Sequence, residues 1–334
     1  MNLMKAIRVE KPGEADVLQV SQVPLPELKD GWTLVKVLGF GINRSEIFTR
    51  KGWSPSVQFP RILGIECVGQ VEQTTSPDLV AGQLVISFMG EMGRAFDGSY
   101  ADYALLPDSQ LYPVVSDLDL AALVALPETY YTAFGALKNL NISATDKVLV
   151  RGATSGVGQA FARLLKAQHP DIYLVGTSRD RAKEPLLLAE GYDEVFIDED
   201  NQLQSSKSFT KILELIGPKT IKDSLCYLEE GGILCSCGQL GGQWYLDNFD
   251  PIEQLANNVY LTTFYSGNVS PQKVQELLDF VGKHEVKTSP ERIFHGLEEV
   301  ADAHRYLESQ GSFGKVVVLL SEEVKEATHV DQTG

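Results

Sequence analysis

A short apolar run, a glycine-punctuated turn and a helical pattern follow one another without a break between residues 147 and 168. No other stretch constrains the fold as strongly. Residues 147–151 contain two valines and a leucine, the profile of a buried strand. Residues 152–158 form the turn. Ala160, Phe161, Leu164, Leu165 and Ala167 then recur at helical intervals, and His169-Pro170 ends the helix. Strand, glycine turn and helix is the setting that a dinucleotide fingerprint requires. The G-x-G-x-x-G template reads here as Ala153-x-Ser155-x-x-Gly158 with Gly156 added. The template match is imperfect, and an ordinary strand–helix turn of small residues is the competing reading.

A fingerprint works because free N–H groups at the helix start, helped by the helix dipole, favour an anion above them. Gly156 removes bulk where a pyrophosphate approaches, and Gly158 lets the helix pack closely on its strand. Ser155 stands where a glycine is usual, either donating to phosphate or pushing the ligand outward. The following strand, 171–177, ends at about the spacing where an NAD enzyme places an acidic residue. Thr177, Ser178 and Arg179 occupy that place, with Arg181 and Lys183 just beyond. Hydroxyl and guanidinium groups suit a 2′-phosphate, which a carboxylate repels. Asp180 dissents from slightly too far along, and a solvated charged turn is the plain alternative. NADPH is therefore expected over NADH.

A chain of 334 residues has material for two cores. The net charge of −16 argues against nucleic acid and anionic membrane as partners. No apolar run is long enough to span a bilayer, and Lys5, Arg8 and Glu10 interrupt the N-terminus where a signal peptide needs an apolar core. A soluble, cytoplasmic protein is expected. Four cysteines fit a reducing compartment. Cys235 and Cys237, at spacing two in a strand-like run, read as small core residues on one face, in preference to a redox or metal pair. Cys67 and Cys226 carry no signal.

Short β segments are expected at 5–9, 17–23, 32–38, 67–72, 83–87 and 99–106, with one helix near 45–51. Composition turns helical at Leu118, over 118–126 and 130–138. Strands at 194–197, 212–216, 232–237 and 260–264 then alternate with helices, the mark of a parallel sheet. Helices at 271–282 and 296–310 and a strand at 315–320 complete the pattern, and 321–334 is acidic and expected to fray.

An ordered set of motifs resembles the zinc-free quinone oxidoreductase (zeta-crystallin-like) branch of the medium-chain dehydrogenases/reductases. They are Gly-Ile-Asn-Arg-Ser-Glu-Ile-Phe (41–48), Phe-Pro-Arg-Ile-Leu-Gly-Ile-Glu (59–66) and Asp-Gly-Ser-Tyr-Ala-Asp-Tyr (97–103). Leu-Pro-Glu-Thr-Tyr-Tyr-Thr-Ala (126–133), the fingerprint, Gly-Gln-Leu-Gly-Gly (238–242) and Phe-Gly-Lys-Val-Val-Val (313–318) follow. The resemblance implies a GroES-like β domain from 1–125 and 267–334. A Rossmann doubly wound α/β domain of 126–266 would be inserted in it, with NADPH in the cleft and a homodimer as the assembly. It gives Asn43 to the nicotinamide ribose and Thr132 to the nicotinamide. Ser155, Gly156, Val157 and Gly158 would face the pyrophosphate, and Ser178, Arg179 and Lys183 the 2′-phosphate. Ile216, Gly217, Gly238, Phe264, Tyr265 and Ser266 would close over the cofactor, with Gly314 and Lys315 from the returning strand. Two plainer readings stay open: Asn43 as a helix cap and Thr132 as a helix-interior hydroxyl.

The chain departs from the alcohol dehydrogenases it also resembles. Their zinc needs a thiolate and an imidazole where Asn43 and Ile65 stand. The four-cysteine lobe is absent, and His169, His284, His295, His304 and His329 lack ligand spacing. No metal is expected. Without a Lewis acid, an already electrophilic acceptor is the sensible substrate: a quinone, or an enone in an enoyl-reductase variant. A non-enzymatic, crystallin-like NADPH binder is the third reading. The tyrosines discussed for quinone contact in the family fall at Phe48 and Trp53, which cannot donate a proton but suit stacking on a flat acceptor. Tyr130, Tyr131 and Tyr265 are the remaining hydroxyl candidates near substrate, and no catalytic acid is assigned.

Overall fold

The computed structural model describes residues 2–321. The stretch expected to fray and His329 lie, from 322 onward, outside the described residues. The chain divides into two compact units. One holds the chain up to Glu128, then Thr288–Ser312 and the residues from Val316; the other holds Thr129–Lys287 and Phe313–Lys315.

The first unit is built on β1 (Leu3–Val9), β2 (Val20–Pro24), β3 (Trp32–Ile42), β4 (Arg61–Ile62), β5 (Glu66–Thr74), β6 (Leu84–Phe88), β7 (Tyr103–Pro107) and β8 (Tyr112–Pro113). Helices α1 (Arg44–Arg50) and α2 (Leu120–Val124) belong to it, and α3 (Pro127–Leu140) leads into the second unit. There follow β9 (Lys147–Arg151), α4 (Gly156–Gln168), β10 (Tyr173–Ser178), α5 (Glu184–Ala189), β11 (Glu194–Glu199), β12 (Gln202–Leu203) and β13 (Phe209–Glu214). After these come α6 (Ile221–Leu225), β14 (Leu228–Ser236), α7 (Pro251–Gln254), β15 (Tyr260–Thr263) and α8 (Pro271–Lys283). The chain returns to the first unit through β16 (Arg292–His295), α9 (Val300–Glu308) and β17 (Val316–Leu319).

In the first unit the main sheet runs β16-β17-β3-β5-β6-β8, with β7 also on β3. Strand β3 continues past the expected end at 38 because β17 pairs with its last residues, Val316 with Ile42 through Leu319 with Gly39. Local pattern cannot show a partner that arrives from the far end of the chain. Gly39 is required there: a Cβ would stand 2.9 Å from the Val318 carbonyl oxygen. Strand β7 starts later than 99 because residues 99–101 spend their backbone elsewhere. The Tyr100 carbonyl accepts from Ile7 N–H at 2.8 Å, and Tyr100 N–H donates to Leu63 at 3.0 Å.

In the second unit the sheet order is β12-β11-β10-β9-β13-β14-β15, parallel throughout except for the short β12. This is the expected doubly wound sheet, with its order reversing at β9. Helix α4 buries Ala160, Phe161, Leu164 and Leu165, and Leu149, Val175, Phe209, Ile212 and Leu234 form a core with Ile221 and Leu225 of α6. The unit boundaries differ from the expected 125 and 266, because α8 packs with α3. Phe134 and Phe280 lie 5.3 Å apart between ring centroids. The Tyr131 hydroxyl donates to the Asn268 carbonyl and accepts from Ser270 N–H, both at 3.2 Å. No described helix is long and apolar enough to cross a membrane.

Candidate functional site

The fingerprint turn leaves β9 through Gly152, whose φ of 90° lies in the left-handed region that glycine adopts freely. Its N–H donates to the Thr177 hydroxyl at 3.1 Å, so this residue of the next strand braces the turn. Ser155 has a role in its own helix. Its hydroxyl donates to the Gly152 carbonyl at 2.8 Å and accepts from Gly158 N–H at 3.1 Å, which makes it the N-cap of α4. Gly158 is forced by close packing, since a Cβ would lie 2.8 Å from the Ala153 Cα and carbonyl oxygen. At Gly156 an added Cβ meets only ordinary contacts, the nearest at 3.5 Å from the Lys315 Cα and the Thr129 methyl. A side chain there would be tolerated but would fill the position against Lys315, Thr129 and Gly314. The N–H groups of Gly156 and Val157, in the first turn of α4, are donors with no intrahelical acceptor. Gly314 lies beside them, its N–H donating to Thr154 at 2.9 Å and its backbone bridging to Ser155.

Beyond β10, the Ser178 hydroxyl is held in a local turn. It donates to the Asp180 carbonyl at 2.8 Å and accepts from Asp180 N–H at 3.0 Å. Asp180 turns its own carboxylate to Ala182 N–H at 2.9 Å, capping the short turn that follows. Arg179 is exposed. Burial holds the Lys183 ammonium below the ordinary lysine range; the nearby Arg179 charge adds to that, against Asp180. Two cations beside one another at the end of β10 favour an anion.

Strand β13 ends at Glu214, so Ile216 and Gly217 lie in the loop after it, not in the strand expected over 212–216. Gly217 has φ of 91° and a Cβ there would sit 2.5 Å from the Gly238 carbonyl oxygen, while one on Gly238 would sit 2.2 Å from that of Leu215. The loops 215–217 and 237–242 therefore lie backbone on backbone. Glu214 fixes the first: one carboxylate oxygen accepts from Ile216 N–H at 2.8 Å and Gly217 N–H at 3.1 Å, the other from the Ser224 hydroxyl at 2.5 Å. Burial pushes this carboxyl above the usual carboxylate range. Arg151 completes the cluster, forking onto both oxygens of Asp198 at 2.7 and 2.9 Å and reaching Asp223 at 2.6 Å and Ser224 at 3.0 Å. Both Arg151 and Glu214 are fully buried. Sequence reasoning missed this cluster, although charged residues ending otherwise apolar strands are a readable signal.

The remaining residues expected around a cofactor differ in character. Thr132 is buried within α3. Phe264 packs against α3, leaving no room for a Cβ on Gly135, and its ring lies 5.6 Å from that of Tyr131. Tyr265 is exposed and Ser266 half-buried. Tyr130 must be corrected. It is fully buried, its hydroxyl donates to the Lys287 carbonyl at 2.8 Å and accepts from Arg163 at 3.3 Å, and burial raises its pKa. It braces the fold and does not face a substrate. Tyr131, bonded to Asn268 and Ser270, is structural for the same reason.

In the first unit, Asn43 precedes α1 but makes no side-chain cap bond. Its amide donates to Glu66 at 2.8 Å and to Glu46 at 3.4 Å. Phe48 and Trp53 stack on each other, centroids 5.5 Å apart, with Trp53 51% exposed. Each ring thus spends one face on the other, and the Lys51 ammonium lies 5.7 Å from the centroid of the Trp53 ring.

Two family models match the chain, the alcohol dehydrogenase GroES-like domain over residues 29–116 and the zinc-binding dehydrogenases over 191–318. The quinone oxidoreductase of Homo sapiens is 27% identical over 334 residues, covering 95% of this chain and 98% of its own. Over nearly its whole length the chain is similar to quinone oxidoreductases, and the two matched domains are those of the medium-chain dehydrogenases/reductases. Solved structures give the same fold. Bacillus subtilis yhfP, crystallised with NAD, has a TM-score of 0.83 at 24% identity, covering 96% of this chain and all (100%) of its own. The mycobacterial protein Rv1454c, complexed with NADPH, scores 0.81 at 23% identity, covering 95% and 100%.

One of those family models is named for zinc, and this chain does not offer the donors. Asn43 directs amide hydrogens at Glu66 and Glu46, Ile65 has no donor atom, and the second Glu66 oxygen accepts from Glu128 N–H at 2.9 Å. Among the described residues no group of three or more His, Cys, Asp or Glu side chains is placed to hold a metal ion. His304 is fully buried between the Arg50 guanidinium, 3.2 Å from Nδ1, and the Tyr100 hydroxyl, 2.9 Å from Nε2. Arginine only donates, so Nδ1 accepts and Nε2 carries the proton. Burial, reinforced by Arg50, lowers this pKa to about 3.

Proposed function

We propose that this protein is an NADPH-dependent oxidoreductase that reduces a quinone, or a similarly electrophilic carbonyl compound, without a metal. The observation that carries the reading is the pairing of two anion-favouring features in one unit. The N–H groups of Gly156 and Val157 open α4 without intrahelical acceptors, and Arg179 and Lys183 follow β10. Asp180, the one carboxylate that would argue for NADH, is engaged in its own turn. When bound, the nicotinamide supplies the hydride. The chain's own part is placement: α4 and the 178–183 turn receive phosphates, and Glu214 holds the 215–217 loop rigid. The roles given to Asn43, Thr132, Gly238, Phe264, Tyr265, Ser266, Gly314 and Lys315 belong to this proposal, as does Trp53 stacking on the acceptor.

Tyr130 and Tyr131 are committed to other bonds, which leaves the exposed Tyr265 hydroxyl or water to deliver the proton. A quinone tolerates this because the reduced oxygen is a stabilised anion. The proposal extends to a soluble cytoplasmic homodimer, in keeping with the acidic charge and the four reduced cysteines. An enone as the preferred acceptor is the second reading, separated by assaying quinones and enones side by side. The decisive experiment replaces Arg179 and Lys183 by alanine together. We expect kcat/KM for NADPH to drop about 100-fold, two lost charge-assisted contacts, while that for NADH stays within about twofold. An unchanged NADPH-to-NADH ratio would sink the reading.

A further inference from the structure

Cys235, in the last turns of β14, is fully buried; Cys237, just past its end, is half-buried. Their sulfurs stand 3.4 Å apart, in hydrogen-bonding contact, where the sequence suggested two passive core residues. The backbone N–H of Phe264 is bonded to both. We propose that Cys235 and Cys237 form a redox site, which a hydroperoxide converts into an intrachain disulfide, and that closing the bond loosens the 238–242 loop.

The division of labour follows from position. Cys237 is the more accessible thiol, and its hydrogen-bonding contact with Cys235 lowers its pKa, while that contact and burial raise the pKa of Cys235. The Cys237 thiolate attacks the outer peroxide oxygen, the O–O bond breaks, and the alcohol leaves with a solvent proton. Cys237 is then a sulfenic acid. Cys235 loses its proton and attacks the Cys237 sulfur; the S–O bond breaks, and the departing hydroxide leaves as water. Two thiols are oxidised by two electrons, and the hydroperoxide is reduced to alcohol and water.

The structural consequence comes from strand geometry. Residues two apart on a strand are separated by about 6.6 Å, near the upper limit for the Cα atoms of a disulfide. Shrinking the sulfur separation to about 2.05 Å therefore needs a bend in the backbone as well as side-chain rotation. That bend falls at Cys237-Gly238, where the chain has no slack. Cys237 N–H donates to Glu214 at 3.0 Å, and Gly238 lies against Leu215. The bonds from Leu240 N–H to Leu215 at 3.1 Å and from Gly241 N–H to Ile216 at 2.9 Å would be strained first.

The test treats the full-length protein with hydrogen peroxide and follows two signals that need no nucleotide. The proteolytic peptide holding both cysteines should lose two hydrogens in mass, regained on adding dithiothreitol. The amides of Leu240 and Gly241 should exchange about tenfold faster in the oxidised form. Cys237→Ser should show neither change, and Cys235→Ser should leave a sulfenic acid on Cys237 that dimedone traps. A peptide that stays at its dithiol mass overturns the proposal. So does a disulfide that leaves the exchange of Leu240 and Gly241 unaltered.

Discussion

Each unit buries an arginine completely, and the two arginines do different work. In the first unit Arg50 on α1 meets Gly13, His304 and Glu308, residues that α9 and the N-terminal turn bring from opposite ends of the chain. Every partner there is another structural group, so the cluster closes a unit whose sequence is discontinuous. In the second unit the chain of bonds from Arg151 runs through Ser224 and Glu214 and ends on the backbone N–H groups of Ile216 and Gly217. A cluster that ends on loop amides sets the shape of a surface. The contrast teaches that burial of charge by itself does not mark a site; where the last hydrogen bond lands does.

The widest break in this contrast should come from Arg151→Met. Asp198 would stay buried and the part-exposed Asp223 would stay in place, both without their cation, and breaking a buried pair such as Arg151–Asp198 costs about 3–5 kcal/mol. Urea unfolding should show a loss of that size. A loss below about 1 kcal/mol would mean that water or lysine already compensates these carboxylates, and that the cluster is not the anchor described.

The first unit's cluster should announce itself through pH. His304 is held neutral, at about 3 against 6.5 in the unfolded chain, so between those values the unfolded state binds more protons. Stability from this group is complete above pH 6.5 and is lost as the pH falls towards 3, by up to about 1.4 kcal/mol per unit. His304→Gln removes the titrating group, and its stability should fall less steeply between pH 6 and 4. Parallel curves for the two proteins would show that the imidazole protonates in place.

How much of this was readable beforehand differs between the same two clusters. The parallel sheet was legible from alternating apolar runs, and β9 and the turn after it were placed to the residue, because local pattern decides them. His304 was legible as a packing residue from its place on an amphipathic helix. The Arg151 cluster was not, since its partners lie 47 and 72 residues away and only the sheet order brings them together. The capping role of Ser155 was not legible for a related reason: a hydroxyl at that position can serve a ligand or its own helix, and composition does not choose. Tyr130 looked available because sequence cannot show that Lys287 and Arg163 converge on its hydroxyl.

The finest test separates holding a loop from holding a fold. Glu214→Gln keeps an oxygen able to accept from Ile216 and Gly217, removes the charge and turns the atom facing Ser224 from acceptor to donor, at nearly unchanged volume around β13. Loss of a charge-assisted bond to each amide weakens the grip on the loop by about 1 kcal/mol. If the loop positions the nucleotide, that loss should appear as a rise of about fivefold in the Kd for NADPH, with unfolding stability lowered by less than about 1 kcal/mol. The reverse pattern, unchanged NADPH affinity with a large loss of stability, would place Glu214 in the same class as the Arg50 cluster. It would also remove the distinction between the two buried arginines, because both networks would then end in structure alone.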